Sequence, residues 1–336
     1  MLIYTDYQLE QSNTFNVKAK AQFYFEITSV DDAIRIIQKK KYGELPRLIL
    51  GNGSNILFTQ NFKGVVVKNI LKGIEIISED DNYATIKAAS GENFDDIVDF
   101  CVKKRYSGIE NLSGIPGSIG GAIVQNIGAY GQEIANSVAE VQYLDLETYQ
   151  LHTLNAAACK FGYRDSIFKK ELKDKAMITS ATFQLSKKFQ PCTTYGNLGA
   201  YLANSPIITP LVMRRAVLNC RQDRIPDFQK YGNAGSFFQN PELNANEADK
   251  IKAEHPELKM YPQPNGKIKL SAGQLIDLCG FKQTPDPTVG VSNSNALIVI
   301  NLGDAKGKDI LAFAKKIQKK VKETFGIKII PEVEII

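Results

Sequence analysis

The stretch that decides the fold is residues 111–133, NLSGIPGSIGGAIVQNIGAYGQE, in which six glycines alternate with isoleucines and a valine. Flexible linkers that are rich in glycine usually carry polar spacers. The apolar spacers of this stretch therefore predict an ordered, buried segment. Glycine lets bare backbone approach a large ligand, and successive exposed N–H groups form a concavity that binds anions. The stretch predicts a cradle for a dinucleotide; the alternative is a tightly packed turn region without a ligand.

The composition of the chain is that of an ordinary globular protein. Its 336 residues predict two or three domains. Apolar residues make up 43% of the chain and charged residues 23%. No segment approaches the roughly 20 apolar residues of a membrane-spanning helix, and the N-terminus lacks the basic and apolar regions of a signal peptide. We expect a cytoplasmic protein that does not bind membranes.

The cysteines and histidines restrict the chemistry. Five cysteines lie far apart and form no CxxC pair, which argues against a disulfide framework and against a zinc site. The two histidines, His152 and His255, lie outside every glycine-rich or polar cluster. Acid–base chemistry must therefore use Ser, Tyr, Lys, Asp or Glu. The net charge of +5 is modest and the basic residues are dispersed, so nucleic-acid binding is not predicted.

The first part of the chain predicts a second glycine-rich turn. A strand over 22–27 and a helix capped by Ser29 precede a buried strand over 48–50. GNGSN, residues 51–55, follows that strand directly. It lacks the GxGxxG fingerprint of Rossmann folds. Together with residues 111–133 it predicts a second phosphate-binding loop, although a hairpin turn would look similar.

The middle of the chain contains a polar island, Tyr163-Arg164-Asp165-Ser166, between two phenylalanines. A guanidinium held there could bind a carboxylate or phosphate through two hydrogen bonds. The alternative is a surface turn with an Arg–Asp ion pair. A helix is expected after Asn93. Strands are expected over 65–69, within 73–90, and near 139–145, 149–154 and 176–185.

The last part of the chain contains a third notable loop, DFQKYGNAGSFFQNP, residues 227–241. Its Ser236 lacks the GxSxG context of a hydrolase nucleophile, so we expect a proton donor or a ligand-binding residue. A loop with Tyr195 is predicted over 189–208, followed by a domain boundary at Pro226. Helices are expected near 208–222, 245–261 and 307–325, and within 269–282 from about Ser271, with strands over 296–301 and at the C-terminus.

Six segments resemble, in the same order, the motifs of the UDP-N-acetylenolpyruvoylglucosamine reductase family, the MurB flavoenzymes of bacterial peptidoglycan precursor synthesis. They are GNGSN (51–55), SGIPGSIGGAIVQNIGAYGQE (113–133), YRDSIF (163–168), GNAGSFFQNP (232–241), SAGQLID (271–277) and PEV (331–333). The segment TYGNL around Tyr195 is similar to the tyrosine loop of the type I subclass.

The resemblance implies an α+β fold with three domains, and a monomer is expected. Two domains form an FAD-binding fold of the vanillyl-alcohol-oxidase/PCMH type. One of these comprises residues 1–69 with 326–336, and the other residues 70–223 with the tyrosine loop. Residues 224–325 form an α/β substrate-binding domain.

The resemblance also implies the cofactors. The expected FAD-binding residues are Gly51, Asn52, Gly53, Ser54, Asn55, Ser113, Gly114, Pro116, Gly117, Ser118, Ile119, Gly120, Gly121, Asn126, Gly128, Ala129, Tyr130 and Gly131. NADPH is the expected hydride donor. The family also suggests activation by a monovalent cation such as K⁺.

The implied reaction converts the enolpyruvyl ether of UDP-N-acetylglucosamine to UDP-N-acetylmuramate. Reduced flavin delivers hydride to C3 of the vinyl group, and Ser236 gives the proton to C2. Arg164 holds the substrate carboxylate, and Glu332, protonated or hydrogen-bonded, helps to polarise it. The expected substrate-binding residues are Tyr195, Arg224, Asn240 and Asn295, of which Arg224 and Asn295 replace the lysine and glutamine usual in the family.

Two other functions stay open at this stage. Another FAD-dependent oxidoreductase of the same fold, acting on an alcohol or a sugar acid, would share the glycine-rich loops but lack the Ser236 loop and Glu332. A nucleotide-binding protein without catalytic activity would be colourless.

Overall fold

A computed structural model describes residues 3–193, 197–263 and 265–336. The strands are β1 (Ile3–Gln8), β2 (Lys20–Ile27), β3 (Arg47–Leu50), β4 (Ile56–Leu57), β5 (Phe62–Asn69), β6 (Ile74–Glu79), β7 (Tyr83–Ala89), β8 (Gly128–Ala129), β9 (Gln132–Glu133), β10 (Val138–Asp145), β11 (Leu151–Asn155), β12 (Ala176–Ser186), β13 (Glu242–Leu243), β14 (Met260–Pro262), β15 (Ile268–Leu270), β16 (Val289–Val291), β17 (Val299–Asn301) and β18 (Glu334–Ile335). The helices are α1 (Val30–Ile37), α2 (Lys40–Gly43), α3 (Phe94–Lys103), α4 (Ile119–Gln125), α5 (Leu198–Leu202), α6 (Pro210–Arg224), α7 (Ala245–Glu254), α8 (Ala272–Leu278) and α9 (Gly307–Phe325).

The chain divides into two compact units. Unit 1 comprises the chain up to Tyr7, Ala21–Gly53 and Phe62–Gln222, and unit 2 comprises Gln8–Lys20, Ser54–Asn61 and Asp223–Ile336. Helices and sheets are mixed in both units, in agreement with the expected α+β class. The division into three domains stays a prediction. Among the helices of the described ranges, none is long and apolar enough to cross a membrane.

The first sheet of unit 1 has the strand order β1-β2-β5-β3, with β2, β5 and β3 parallel. Phe25, Val67 and Ile49 are opposite one another in this register. Because side chains alternate between the faces of a sheet, these three share one face. That face packs on the buried side of α1, which includes Ile36. The predicted strand over 22–27 and the helix capped by Ser29 are confirmed.

The second sheet of unit 1 is antiparallel, with the order β11-β10-β12-β7-β6. The buried side of α3 packs against this sheet through residues such as Phe94 and Ile97. Asn93 caps α3, since its side chain accepts a hydrogen bond from the Asp95 N–H at 3.0 Å. The strands expected between residues 73 and 90 and near 139–145, 149–154 and 176–185 are all present.

The glycine-rich stretch contains a helix, α4, that the sequence analysis did not predict. Ser118 caps it by accepting a hydrogen bond from the Gly121 N–H at 3.3 Å. Ile119 and Ile123 are fully buried in the core of the second sheet. Two glycines in the first turn lower the intrinsic helix propensity, so tertiary packing of the isoleucines stabilises α4.

Unit 2 contains small sheets and a long amphipathic helix. Its sheets have the orders β13-β15-β14, β16-β17 and β18-β4, the last pair parallel. The helix predicted over 307–325 is confirmed as α9, with a buried stripe that includes Ile310, Phe313 and Ile317. The helix predicted near 245–261 was too long, since α7 ends at Glu254, shortly before Pro256, and residues 260–262 form β14. The helix predicted to begin near Ser271 is confirmed as α8, which Ser271 caps, although it ends at Leu278 and not near residue 282.

Asn69 links the two sheets of unit 1. Its Nδ2 donates to Ser90 Oγ at 2.7 Å and to the Ile178 carbonyl at 3.1 Å, and its Oδ1 accepts from the Leu71 N–H at 3.1 Å. Substituting Asn69→Leu keeps the volume but leaves buried polar groups without partners. We expect the free energy of unfolding in urea to fall by about 2–4 kcal/mol. The control Asn82→Leu, at an exposed turn position, should change it by less than about 0.5 kcal/mol; equal effects would contradict this assignment.

Candidate functional site

Within unit 1, Gly51 at the start of the first glycine-rich loop lies against Ser118 of the second loop. A Cβ on Gly51 would collide with the Oγ of Ser118, so a side chain at position 51 would displace the hydroxyl group that caps α4. Ser118 is buried and begins α4. Gly53 is buried as well and has a φ of 67°, in the left-handed region that favours glycine. Glycine is therefore favoured at two positions of GNGSN, at Gly51 by the close approach of the second loop and at Gly53 by its backbone conformation.

Both loops present backbone N–H groups that donate no hydrogen bond to any described residue. They belong to Asn52 and Gly53 in the first loop and to Gly117 and Ser118 in the second. Buried or half-buried amides normally have a partner. Amides from adjacent loops form the kind of concavity that holds a phosphate group. The donor set therefore fits the diphosphate of FAD.

Arg164 lies in a tight turn of unit 1. Gly162 and Asp165 exchange backbone hydrogen bonds of 2.9 and 3.1 Å, so Tyr163 and Arg164 are the central residues of the turn. Arg164 has a φ of 55°, which is uncommon for a residue with a side chain. Its Nη2 donates to the Gly128 carbonyl at 2.8 Å, and its guanidinium carbon is 5.2 Å from the centre of the Tyr163 ring. These contacts fix the direction of the guanidinium group.

Asn126 and Lys169 hold this turn in place. The Nδ2 of buried Asn126 donates to the Gly162 carbonyl at 2.7 Å. The Nζ of Lys169 donates to the Arg164 carbonyl at 3.0 Å and to Gln125 Oε1 at 2.8 Å. Both residues support the backbone that carries Arg164. Lys169 was not predicted as a site residue, and the expected FAD contact of Asn126 stays a prediction.

The end of the glycine-rich stretch is a β-hairpin. β8 and β9 are joined by Tyr130 and Gly131, with φ values of 48° and 82°, as in a type I′ turn. A Cβ on Gly128 would lie 3.1 Å from the Nη1 of Arg164. Gly128 thus leaves room for the guanidinium group, and Gly131 adopts the positive φ that a type I′ turn requires. The expected FAD contacts of these residues stay predictions.

Unit 2 brings Ser236 and Glu332 onto neighbouring backbone segments. The Phe237 N–H donates to the Leu297 carbonyl at 2.9 Å, and the Phe237 carbonyl accepts from the Glu332 N–H at 2.8 Å. Ser236 directly precedes Phe237. The Nδ2 of Asn55 also donates to the Glu332 carbonyl at 3.2 Å. We call the three segments 236–238, 295–297 and 330–332 the unit 2 ladder.

A cavity of about 290 Å³ adjoins the unit 2 ladder. Its lining includes Asn295 from the ladder, Tyr261, and two lysines, Lys259 and Lys282. Lys282 pairs with Asp277, at 2.7 Å from Nζ to Oδ2. An aromatic ring, an amide and ammonium groups are suited to a ligand with both a ring and phosphate groups.

The other expected substrate-binding residues have different surroundings. Asn240 Oδ1 accepts a hydrogen bond from the Ala272 N–H at 2.9 Å and so joins the Ser236 loop to the start of α8. Arg224 is exposed at the end of α6. Tyr195 lies outside the described residues. Arg164 belongs to unit 1 and Ser236 and Glu332 to unit 2, so the proximity of all three stays a prediction.

Arg221, which was not predicted as a site residue, lies on α6 beside the second glycine-rich loop. Its Nε would lie 3.2 Å from a Cβ on Gly114. Burial lowers the pKa of Arg221, whereas the interactions with Tyr130 and Asp95 act to raise it. Arg214 lies two turns earlier in α6 and binds Asp95 with two hydrogen bonds of 2.6 and 2.8 Å. In the sequence, the signal that could have identified Arg221 is its spacing of seven residues from Arg214, which places both arginines on one face of the helix.

Comparison with known proteins decides the family. Residues 227–336 match the family UDP-N-acetylenolpyruvoylglucosamine reductase, C-terminal domain, and residues 21–153 match an FAD binding domain. The reductase of that name from Flavobacterium johnsoniae is 40% identical over 339 residues, with 100% of each chain covered. The chain belongs to the UDP-N-acetylenolpyruvoylglucosamine reductase family. The relative from Chromobacterium violaceum is 40% identical over 330 residues, which is 97% of each chain.

Membership of the reductase family confirms the resemblance seen in the motifs. The chain is a flavoprotein oxidoreductase with FAD as its cofactor. A crystal structure of MurB from Thermus caldophilus has the same fold, with a TM-score of 0.69, 21% identity, and 99% of this chain and 98% of that chain covered. The FAD-binding α+β fold is therefore confirmed.

Lys169 provides a test of the Arg164 turn in this reductase. Lys169→Met removes the ammonium group that binds the Arg164 carbonyl, so the left-handed backbone at Arg164 loses a support. We expect reductase turnover to fall about tenfold and the free energy of unfolding to fall by about 1–2 kcal/mol. The control is Lys170→Met, which removes the exposed partner of Asp165. It should change turnover less than about twofold; similar losses in both variants would count against the role of Lys169.

Proposed function

We propose that this protein reduces the enolpyruvyl ether of UDP-N-acetylglucosamine to UDP-N-acetylmuramate, with NADPH as the source of hydride. Its relatives are named as reductases of UDP-N-acetylenolpyruvoylglucosamine. The observation that carries the proposal is the unit 2 ladder. In it, the backbone of Phe237, the residue after Ser236, bonds to Leu297 beside the cavity wall and to Glu332.

The reaction sets three tasks for the residues of the chain. Reduction of the vinyl group adds a hydride at C3 and a proton at C2, and negative charge develops between C2 and the carboxylate. FAD, when bound, supplies the hydride chemistry. The protein must hold the substrate, stabilise the developing charge and deliver a proton at C2.

Arg164 is the proposed partner of the substrate carboxylate. Its guanidinium is oriented before substrate arrives, through the Gly128 carbonyl and the Tyr163 ring. A donor that is already oriented stabilises developing charge without reorganisation. Glu332 is the proposed second group at the carboxylate. Its backbone is fixed on both sides, since its N–H donates to Phe237 and its carbonyl accepts from Asn55.

Ser236 is the proposed donor of the proton to C2. Both histidines of the chain have packing roles: His152 stacks on Tyr143 with ring centres 5.4 Å apart, and His255 packs on Phe325 at 4.7 Å. The enolate formed at C2 is strongly basic, so a hydroxyl group of ordinary acidity is a sufficient donor. Ser236 lies on the central segment of the unit 2 ladder. The backbone of this segment bonds on one side to residues 295–297, which include part of the cavity wall, and on the other side to Glu332.

The cavity beside the ladder is the proposed site for part of the UDP group. A volume of about 290 Å³ is at the lower end for ligand pockets, which suits a fragment of the nucleotide. Tyr261 offers a ring for stacking, Asn295 an amide, and Lys259 a positive charge for the diphosphate. Arg224, Asn240 and Tyr195 stay proposed contacts on the basis of the motifs alone.

Two half-reactions measured without oxygen test the proposed function. We expect NADPH to bleach the visible flavin absorbance of the purified yellow protein, and the enolpyruvyl substrate to restore it. Simple alcohols and sugar acids should not restore it, and NADH should reduce the flavin more slowly. Repeating the measurement in potassium and in choline salts tests activation by a monovalent cation. Restoration by an alcohol, with none by the enolpyruvyl compound, would show that this is a different flavin-dependent oxidoreductase.

Ser236→Ala separates proton transfer from flavin reduction. We expect reduction by NADPH to stay within about twofold, since no proton from Ser236 is needed, while reoxidation by the substrate slows by roughly 10²–10⁴-fold. Stopped-flow absorbance measures both steps. Ser236→Cys, which retains an acidic proton, should recover part of the second rate. An equal loss in both half-reactions would refute the assigned role.

A further inference from the structure

Lys68 lies beside the start of the first glycine-rich loop, although it belongs to none of the motifs. It is on β5, and the parallel register places it opposite Glu26 on β2 and Leu50 on β3. Leu50 is the last residue before the loop that begins at Gly51. Lys68 is therefore at the carboxyl end of three parallel strands, where ligands of such sheets commonly bind.

The ammonium group of Lys68 makes one short contact. Its Nζ donates to the Gly51 carbonyl at 2.5 Å, and the side chain is half-buried. Burial lowers the pKa of Lys68, and Lys72 adds to this effect, whereas Glu26 opposes it. Within the described ranges no carboxylate forms an ion pair with this ammonium group. Glu26, opposite Lys68 on β2, is the carboxylate whose charge favours the ammonium form.

The contact with Lys68 fixes the direction of the next amide. Within the described residues all peptide bonds are trans, so the carbonyl and the N–H of the Gly51–Asn52 peptide point in opposite directions. Since the carbonyl points to Lys68, the Asn52 N–H points away from it. That N–H donates no hydrogen bond within the described part of the chain. A cation at the carbonyl oxygen also polarises the peptide and strengthens its N–H as a donor.

We propose that Lys68 is a positioning residue for the diphosphate of FAD. By holding and polarising the Gly51–Asn52 peptide, it directs a strengthened N–H donor at the cofactor. Gly51 has no side chain, because a Cβ would collide with Ser118, so the peptide plane needs support from elsewhere in the fold. The inference depends on FAD as the cofactor and is independent of the identity of the substrate.

The test measures FAD retention in a series of variants at position 68. Lys68→Met removes the ammonium group but keeps an unbranched chain, Lys68→Gln keeps a neutral donor, and Lys68→Arg keeps a charged one. The holoenzyme is diluted, and the release of FAD is followed by its fluorescence to give the release rate and the dissociation constant. We expect affinity to fall at least tenfold in the methionine variant, about threefold in the glutamine variant, and less in the arginine variant. The control, Lys63→Met, changes an exposed lysine of the same strand and should leave the constant within twofold.

Several outcomes would overturn the proposal. A purely structural lysine would lower the unfolding free energy of the flavin-free protein while the dissociation constant of FAD stays unchanged. Equal loss of FAD affinity in the arginine and methionine variants would show that charge does not matter. If the methionine variant does not fold, equal FAD affinity of the glutamine and arginine variants would likewise show that the charge at position 68 does not matter. A wild-type protein without any bound flavin would instead refute the cofactor assignment.

Discussion

The missing side chain at Gly51 is the constraint on which the proposed FAD site depends. It lets the first glycine-rich loop lie against Ser118, at the start of α4, although the two segments are far apart in the sequence. In each loop a carbonyl oxygen accepts a hydrogen bond from elsewhere in the fold. The Gly51 carbonyl accepts from Lys68, and the Gly117 carbonyl accepts from the Phe94 N–H. The N–H groups of Asn52, Gly53, Gly117 and Ser118 are left as a set of donors. Backbone amides cannot be changed by mutation of a side chain, which makes them a stable basis for holding a cofactor.

This arrangement links cofactor binding to stability. An amide that is removed from water without a partner costs about 1–3 kcal/mol. Loops that contain several such donors are therefore less favourable in the free protein than in the flavin-bound one. Binding of FAD to the folded state stabilises it through mass action. In the proposed site, FAD would give these amides hydrogen-bond partners and so stabilise the glycine-rich loops.

The periodic elements could be predicted from the sequence, whereas the contacts between distant segments could not. α1, α3 and α9 have clear apolar stripes and capping residues, so their positions were found within a few residues. α4 was missed because its glycines disfavour a helix locally, and only the burial of Ile119 and Ile123 stabilises it.

The same limit applies to the candidate site. The motifs identified Ser236, Glu332 and Arg164 individually. The pairing of Ser236 and Glu332 in the unit 2 ladder, through the backbone of Phe237, leaves no local signal in the sequence. Lys169 and Lys68 act through carbonyl oxygens, and a hydrogen bond to a backbone carbonyl places no demand on the residue type that carries it. Residues of this kind are therefore found only from coordinates.

The turn that carries Arg164 shows why such supporting residues are needed. A left-handed backbone costs roughly 1–2 kcal/mol for a residue with a side chain, and this conformation is retained because Lys169, Asn126 and the Gly162–Asp165 pair all bind it. In return, the guanidinium is directed along the Gly128 carbonyl and cannot rotate freely. An arginine on a relaxed turn would lose side-chain entropy each time it bound a carboxylate. In its proposed role at the substrate carboxylate, Arg164 has a side chain that the fold has already ordered, so more of its interaction with a developing negative charge would remain available to lower the reaction barrier.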